Sequence, residues 1–295
     1  MRVLITGGRG QLATALVEAL GGHLVASPSR EELDITTGAA VSRTVVSFRP
    51  DVVINTAAVH QVDRCEADVA RALEVNSLGA WRLASACREA DSVMVQLSTD
   101  YVFDGGKGLP YLEDDLPNPL NVYGATKLAA EQFVQTVCPR HFVIRTSGLF
   151  GRSGPGERHN FVQSMLRLAD ERGNLRVVTD QFFSPTFAED LAASIVALLS
   201  TEAYGIYHVT NSGQCSWYQF AELIFSLAGR SPDLQPVTST EFGGLARRPV
   251  FSVLGETKLT ALGMQKLGRW EHALLRYIQQ GHPELNSTTS PGGPV

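Results

Sequence analysis

Arg2-Val3-Leu4-Ile5-Thr6-Gly7-Gly8-Arg9-Gly10-Gln11-Leu12-Ala13 is the stretch on which the reading of this chain turns. A short apolar, β-branched run stops at a cluster of glycines, and a segment with apolar residues at helical spacing, Gln11–Leu20, follows it. Gly7 permits a tight turn, Gly10 lets the backbone approach a pyrophosphate, and Ala13 keeps the helix close to the sheet. An anion then rests on the helix N-terminus. Glycine turns after strands are common, but this loop both ends a strand and opens a helix, the context that dinucleotide binding requires.

Outward from this stretch the same alternation continues. Strands are expected at Arg2–Thr6, His23–Ala26, Val52–Asn55, Val93–Leu97 and Phe142–Arg145, with helices at Gln11–Leu20, Ala39–Phe48, Val69–Ala90 and Val122–Val137 between them. Strands that alternate with helices pair in parallel through right-handed crossovers. Their near-continuous apolar character belongs to a sheet covered on both faces. The fold class is therefore α/β, a doubly wound parallel sheet of the Rossmann type. Residues 1–150 are expected to form the dinucleotide-binding domain. Beyond it, Gly151–Gly156 reads as a loop, and 151–281 as a smaller, interwoven C-terminal substrate lobe with helices at Phe161–Asp170, Ala188–Leu199 and Trp217–Leu227. Some of its segments return to the first domain. The tail 282–295, rich in Ser, Thr, Pro and Gly, is expected to be disordered.

Composition excludes other classes. Of 295 residues, 44% are apolar and 19% charged, an ordinary globular balance. No run approaches the roughly 20 apolar residues of a membrane helix. The first strand starts at once, leaving no room for a signal peptide. A net charge of −5 with no basic run argues against nucleic acid as a partner. Cys65, Cys87, Cys138 and Cys215 contain no C-x-x-C pair and read as reduced thiols of a cytoplasmic protein.

The end of the second strand should choose between the two nicotinamide dinucleotides. NAD binders usually place an acid there for the ribose hydroxyl, and NADP binders an arginine. Ala26-Ser27-Pro28-Ser29-Arg30 has no acid before Glu31, and Arg9 can reach the same place. Arginine suits a phosphate because its planar fork donates two hydrogen bonds at once. NADPH is expected over NADH, with solvated surface roles for Arg9 and Arg30 as the alternative.

The candidate chemistry is in Tyr123-Gly-Ala-Thr-Lys127, at the start of a helix. Spacing of i, i+4 puts Tyr123 and Lys127 on one face, where the ammonium is expected to lower the phenol pKa and make it an acid–base group. Alone, Y-x-x-x-K is a frequent accident. Upstream, however, a strand ends in Ser98-Thr99-Asp100-Tyr101-Val102-Phe103-Asp104-Gly105, and a hydroxyl at a parallel strand's carboxyl end sits where open sheets bind ligands. Thr99 can donate to a carbonyl oxygen beside Tyr123.

With these stretches, and with Leu33-Asp34-Ile35-Thr36, Val62-Asp63, Arg145-Thr146-Ser147, Ser184-Pro185-Thr186, Ser216-Trp217-Tyr218 and Arg248-Pro249, the chain resembles the extended short-chain dehydrogenase/reductases and, among them, the dTDP-4-dehydrorhamnose reductase family. The resemblance runs to about Trp270. It implies NADPH-dependent reduction of the C4 keto group of dTDP-4-dehydro-6-deoxy-L-mannose to dTDP-L-rhamnose, for surface polysaccharide, by a monomer or homodimer. It also implies roles: Gly7, Gly10, Gln11 and Leu12 at the pyrophosphate, and Asp34 and Ile35 beside the adenine. Ala57 and Ala58 would flank the ribose and nicotinamide. Thr99, Tyr123 and Lys127 would be catalytic, with Asp100 and Tyr101 in the sugar pocket and Arg248 near the nucleotide. Asp34 as a helix cap, Asp100 as a turn brace and Trp217 as core packing are the plainer readings of those residues.

The sequence departs from the family at three places. Gly148 stands where a tryptophan often packs on the sugar, and Val59-His60-Gln61 replaces a common threonine, with His60 a pocket or a loop residue. Ala15 occupies the place of a glutamate that binds magnesium in some members, so no metal site is expected. Two alternatives stand beside the main reading: a reductase of another nucleotide-linked 4-keto-deoxysugar, and a non-catalytic NADP-binding regulatory subunit.

Overall fold

The computed structural model describes residues 1–152 and 160–281; residues 153–156 of the expected loop and the expected tail 282–295 lie outside the described residues. The central strands are β1 (Arg2–Thr6), β2 (Leu24–Ala26), β3 (Val52–Asn55), β4 (Val93–Thr99) and β5 (His141–Thr146). A sixth strand, Gly205–His208, closes the sheet beside β5. The spatial order is Gly205–His208, β5, β4, β3, β1, β2, and every pair is parallel. All seven residues of β4 and all four of β3 are buried, as a sheet covered on both faces demands.

The chain leaves β1 to one side for β2 and returns to the other side for β3. This reversal opens the crevice at the carboxyl ends of β1 and β3. A polar ladder fixes those ends: the Thr6 hydroxyl donates to Asn55 Oδ1 (2.6 Å), and Asn55 Nδ2 donates to Gln96 Oε1 (2.8 Å).

Helices cover both faces. On one, α1 (Gln11–Ala19) packs through Leu12 and Leu16 with Leu191 and Ile195 of a later helix. On the other lie α2 (Gly38–Phe48), with Val41 and Val45, then α3 (Val62–Ala67) and α4 (Val69–Ala72). The expected helix Val69–Ala90 is interrupted by a π-helical turn, Leu73–Leu78, before α5 (Gly79–Glu89). The interruption has a cause: Asn76 bonds both backbone groups of Val59 and the Thr126 hydroxyl, and Ser77 donates to Thr126 O (2.8 Å). The helix yields its regular spacing to clamp one loop and the helix α6 (Val122–Val137).

Farther along, α7 (Phe161–Arg172) begins at a capping box, Asn160 with Gln163, and stops at Gly173 in the left-handed region (φ 66°). Next, α8 (Ala188–Leu198) packs on α1, while α9 (Trp217–Leu227) packs on α7 and on the parallel pair Asn174–Val178 and Asp233–Val237. Their core is aromatic: Phe150, Phe187, Phe220, Trp270 and Tyr277 are buried together. The second half of the chain thus builds a cluster of its own and also contributes α8 and the strand Gly205–His208 to the sheet.

Candidate active site

A cavity of about 420 Å³ opens over the carboxyl ends of the strands. The glycine loop, the end of β4, the start of α6 and the segment after β5 line it through Gly10, Gln11, Leu12, Ala58, Thr99, Asp100, Tyr101, Tyr123 and Lys127. Nine residues expected at the site from sequence thus meet here, with Gly7 and Ala57 just behind this wall. At Gly7 (φ 74°) a side chain would strike Ala57 and Thr56 at 3.0 Å, so strand end and loop touch because nothing but hydrogen stands between them.

The walls also test whether the expected dinucleotide fits. Gly10 caps α1 with no side-chain hydrogen bond, and no acid lies in that first turn, so the helix N-terminus is left for an anion. A Cβ at Gly10 would meet only Gly7 O, at 3.3 Å. Gly8 N donates to Pro28 O (3.1 Å), which draws the loop against the end of β2. There the buried Ser27 hydroxyl has no partner. Arg9 faces Glu31 at 3.6 Å and Arg30 faces Asp34 at 3.8 Å, both as exposed pairs of little energetic weight that a phosphate can displace. The residues fit a 2′-phosphorylated dinucleotide.

Asp34 is no helix cap. Its carboxylate accepts from Thr36 N (2.9 Å) and the Thr36 hydroxyl (2.7 Å), a turn ahead of α2, whose cap Thr37 makes no side-chain bond. Ile35 is buried against Gly79, only 3% exposed.

The catalytic candidates are brought together in an order different from the expected one. Asn121 caps α6 by accepting from Gly124 N (2.8 Å), setting Tyr123 in the first turn. The Tyr123 side chain is half-buried on the cavity wall, and desolvation there pushes its pKa above the ordinary value; the Thr99 hydroxyl offsets part of this, while Asp100 and Cys65 add to it. Lys127 is 3% exposed and its Nζ donates to Leu97 O at 2.5 Å. The expectation that this ammonium lowers the phenol pKa is corrected: i, i+4 spacing aligns the two residues, but desolvation dominates the phenol, Lys127 is not among the groups that act on it, and the ammonium donates to a strand carbonyl. Burial itself moves Lys127 down to about 8, with Glu131 pulling it up.

Asp100 is buried among three hydroxyls, accepting from Thr99 (3.0 Å), Ser147 (2.8 Å) and Ser252 (2.5 Å). Burial raises its pKa to about 6. It braces the turn and also faces the cavity. Because Thr99 donates to Asp100, giving that proton to a ligand requires the hydroxyl to rotate. Tyr101 sets its ring edge-on to Tyr123, centroids 6.1 Å apart.

Arg248 stands apart from this cavity. It donates to Asp63 Oδ2 (2.7 Å) and lines a second cavity, about 670 Å³, with Arg176, Arg247 and Phe242. Tyr101, Phe161, Gln181 and Trp217 border both cavities. Trp217, read from sequence as core packing, is thus also a wall: it stacks on Phe183 (3.9 Å) and lies against Phe161 (4.6 Å). Gly148, at φ 51°, abuts the Phe183 ring, and His60 lines the first cavity as well. Sequence reasoning did not assign Asn76, Glu131, Ser147, Ser252 or Phe183; each acts through partners distant in sequence. Ala15 is buried in the core, and among the described residues no cluster of His, Cys, Asp and Glu is placed to hold a metal. Among them, too, no helix is long and apolar enough to cross a membrane.

Comparison with known proteins agrees with this geometry. Residues 1–282 match the RmlD substrate binding domain. A dTDP-4-dehydrorhamnose reductase of Streptomyces griseus is 42% identical over 92% of this chain and 91% of its own. A dTDP-4-keto-6-deoxy-D-glucose reductase of Streptomyces niveus is 39% identical over 98% and 99%. A dTDP-4-dehydrorhamnose reductase of Bacillus anthracis, solved in complex with NADP, superposes with a TM-score of 0.91 at 39% identity, covering 95% of this chain and 99% of that one. A strand–glycine–helix start, a Thr99–Tyr123–Lys127 cluster and near full-length likeness converge: the chain belongs to the dTDP-4-dehydrorhamnose reductase family.

Proposed function

We propose that this protein reduces the C4 keto group of dTDP-4-dehydro-6-deoxy-L-mannose with NADPH, giving dTDP-L-rhamnose. The observation that carries the reading is the convergence of the Thr99 and Tyr123 hydroxyls at one cavity, with the buried Lys127 behind them. The dinucleotide would be held by Gly7, Gly10, Gln11 and Leu12 at its pyrophosphate and by Arg9, Ser27 and Arg30 at its 2′-phosphate. Bound, it supplies the hydride. Tyr123 then supplies the proton: a phenol held above its ordinary pKa keeps its hydrogen at neutral pH and gives it to the C4 oxygen as charge develops there. Thr99 orients the same oxygen, and Asp100 and Tyr101 face the sugar. In the second cavity the guanidinium groups of Arg176, Arg247 and Arg248 suit the two phosphates of a nucleoside diphosphate. The four free cysteines, all buried, suit the reducing cytoplasm.

The test is NADPH oxidation against a panel of nucleotide-linked 4-keto sugars. Turnover should be fastest with dTDP-4-dehydro-6-deoxy-L-mannose; tight NADPH binding without oxidation by any of them overturns the reading in favour of a regulatory NADP-binding protein. A second reading, reduction of dTDP-4-keto-6-deoxy-D-glucose, is favoured by the Streptomyces niveus relative and is separated by the same panel.

A further inference from the structure

Behind Lys127 lies a buried cluster that the proposed chemistry leaves unused. Glu131, one turn farther along α6, is wholly buried, and its carboxylate is held from two strands at once. Arg145 of β5 grips it with Nε to Oε1 (2.9 Å) and a terminal nitrogen to Oε2 (2.7 Å), and the Ser98 hydroxyl of β4 donates to Oε1. Ser98 directly follows Leu97, whose carbonyl receives the Lys127 ammonium, and directly precedes Thr99. Register pairs Ser98 with Arg145 and Thr99 with Thr146. One carboxylate therefore joins α6, β4 and β5 at the level where Lys127 and Thr99 are presented.

Charge points the same way. A buried ammonium with only a carbonyl partner is costly unless an opposite charge lies near. Glu131 is the group that supports the charged form of Lys127, against burial. The other elements around α6 offer no substitute. Asn76 and Ser77 of the π-helical turn are uncharged, Glu66 of α3 is bonded to the helix start at Val122 N, and Cys65 and Asp100 act on Tyr123. Arg145 competes for the carboxylate, and His208, 3.4 Å from Arg145, is kept uncharged near neutrality by burial and that guanidinium.

We propose that Glu131 is a positioning residue for Lys127: its carboxylate keeps the buried lysine in the ammonium form and, through Ser98, pins the strand carbonyl to which the ammonium donates. This rests on the reading of Lys127 as the lysine of the active site. If it holds, kcat and NADPH affinity both decline as pH rises through the point where Lys127 loses its proton. Glu131→Gln removes the charge and keeps the shape, so this alkaline limb should move to lower pH by about one unit. Glu131→Asp keeps the charge and should leave the limb within about 0.3 unit of wild type. NADPH affinity is read by fluorescence titration, without turnover, and kcat by NADPH oxidation. A limb that stays in place in Glu131→Gln while kcat falls would mean a merely structural role and overturn the proposal. If Glu131→Gln does not fold, Arg145→Met, which leaves the carboxylate to Lys127 alone, should move the limb to higher pH; an unmoved limb there overturns it equally. Lys127→Met tells the two readings apart. Undiminished NADPH binding in that variant removes the lysine reading itself, whereas a limb lost in Lys127→Met but fixed in Glu131→Gln removes only the role of Glu131.

Discussion

Replacing Gly148 with alanine should destabilise the protein far beyond what one methyl group suggests. Gly148 lies at φ 51°, and a Cβ there would sit 2.2 Å from Cε2 and 2.5 Å from Cδ2 of Phe183. An L-residue in the left-handed region costs roughly 1–2 kcal/mol. Carbon atoms pack at about 3.5–4 Å, so the ring must retreat by more than about 1 Å. It has little room, being 2% exposed and stacked on Trp217 at 3.9 Å. Overpacking of this kind costs typically about 1–3 kcal/mol, and the total is about 2–5 kcal/mol. For a chain of this size, with an unfolding entropy of about 0.6 kcal/mol/K, that lowers the Tm by roughly 3–8 °C. Because Phe183 and Trp217 also wall the first cavity, the KM for the sugar should rise while NADPH affinity holds. Thermal unfolding and NADPH oxidation measure the two effects. A Gly148→Ala protein within about 0.5 kcal/mol of wild type would show that Phe183 is not fixed where this reasoning puts it.

Other outcomes follow from the same geometry. Tyr123→Phe should lower kcat by about 10²–10⁴-fold with NADPH affinity little changed, since the ring remains, and stopped-flow NADPH oxidation would show it. Lys127→Met should impair both. Arg30→Asp combined with Arg9→Ala should weaken NADPH more than NADH in paired titrations; equal losses would move the 2′-phosphate elsewhere. EDTA should leave activity and assembly unchanged, and a loss restored specifically by magnesium would reveal a metal site built from other residues.

Much of this protein was legible in its sequence because the deciding signals are local. The run from Arg2 to Ala13 specifies strand, turn and helix within a dozen residues, and Tyr123 and Lys127 share a helix face by spacing alone. Hydrophobic alternation set the order of strands and helices, hence a parallel, doubly wound sheet. What spacing could not say is where the far end of a side chain goes. The ammonium of Lys127 turns to Leu97 O instead of the phenol, a choice made by the packing of α6 on β4. Asp100 finds Ser147 and Ser252, Arg248 finds Asp63, and Phe183 meets Gly148 across intervals of about 35 to 185 residues or within a turn of unusual φ. The break at Leu73–Leu78 was equally hidden, because its cause is a set of hydrogen bonds from Asn76 and Ser77 that reach Val59 and Thr126. By itself the sequence determined the first five strands, most of the helices that alternate with them, and the residue types of the chemistry. The tertiary structure alone decided which buried charges face one another, because a charge out of water is governed by its nearest partners, and those are assembled only when distant strands and helices pack.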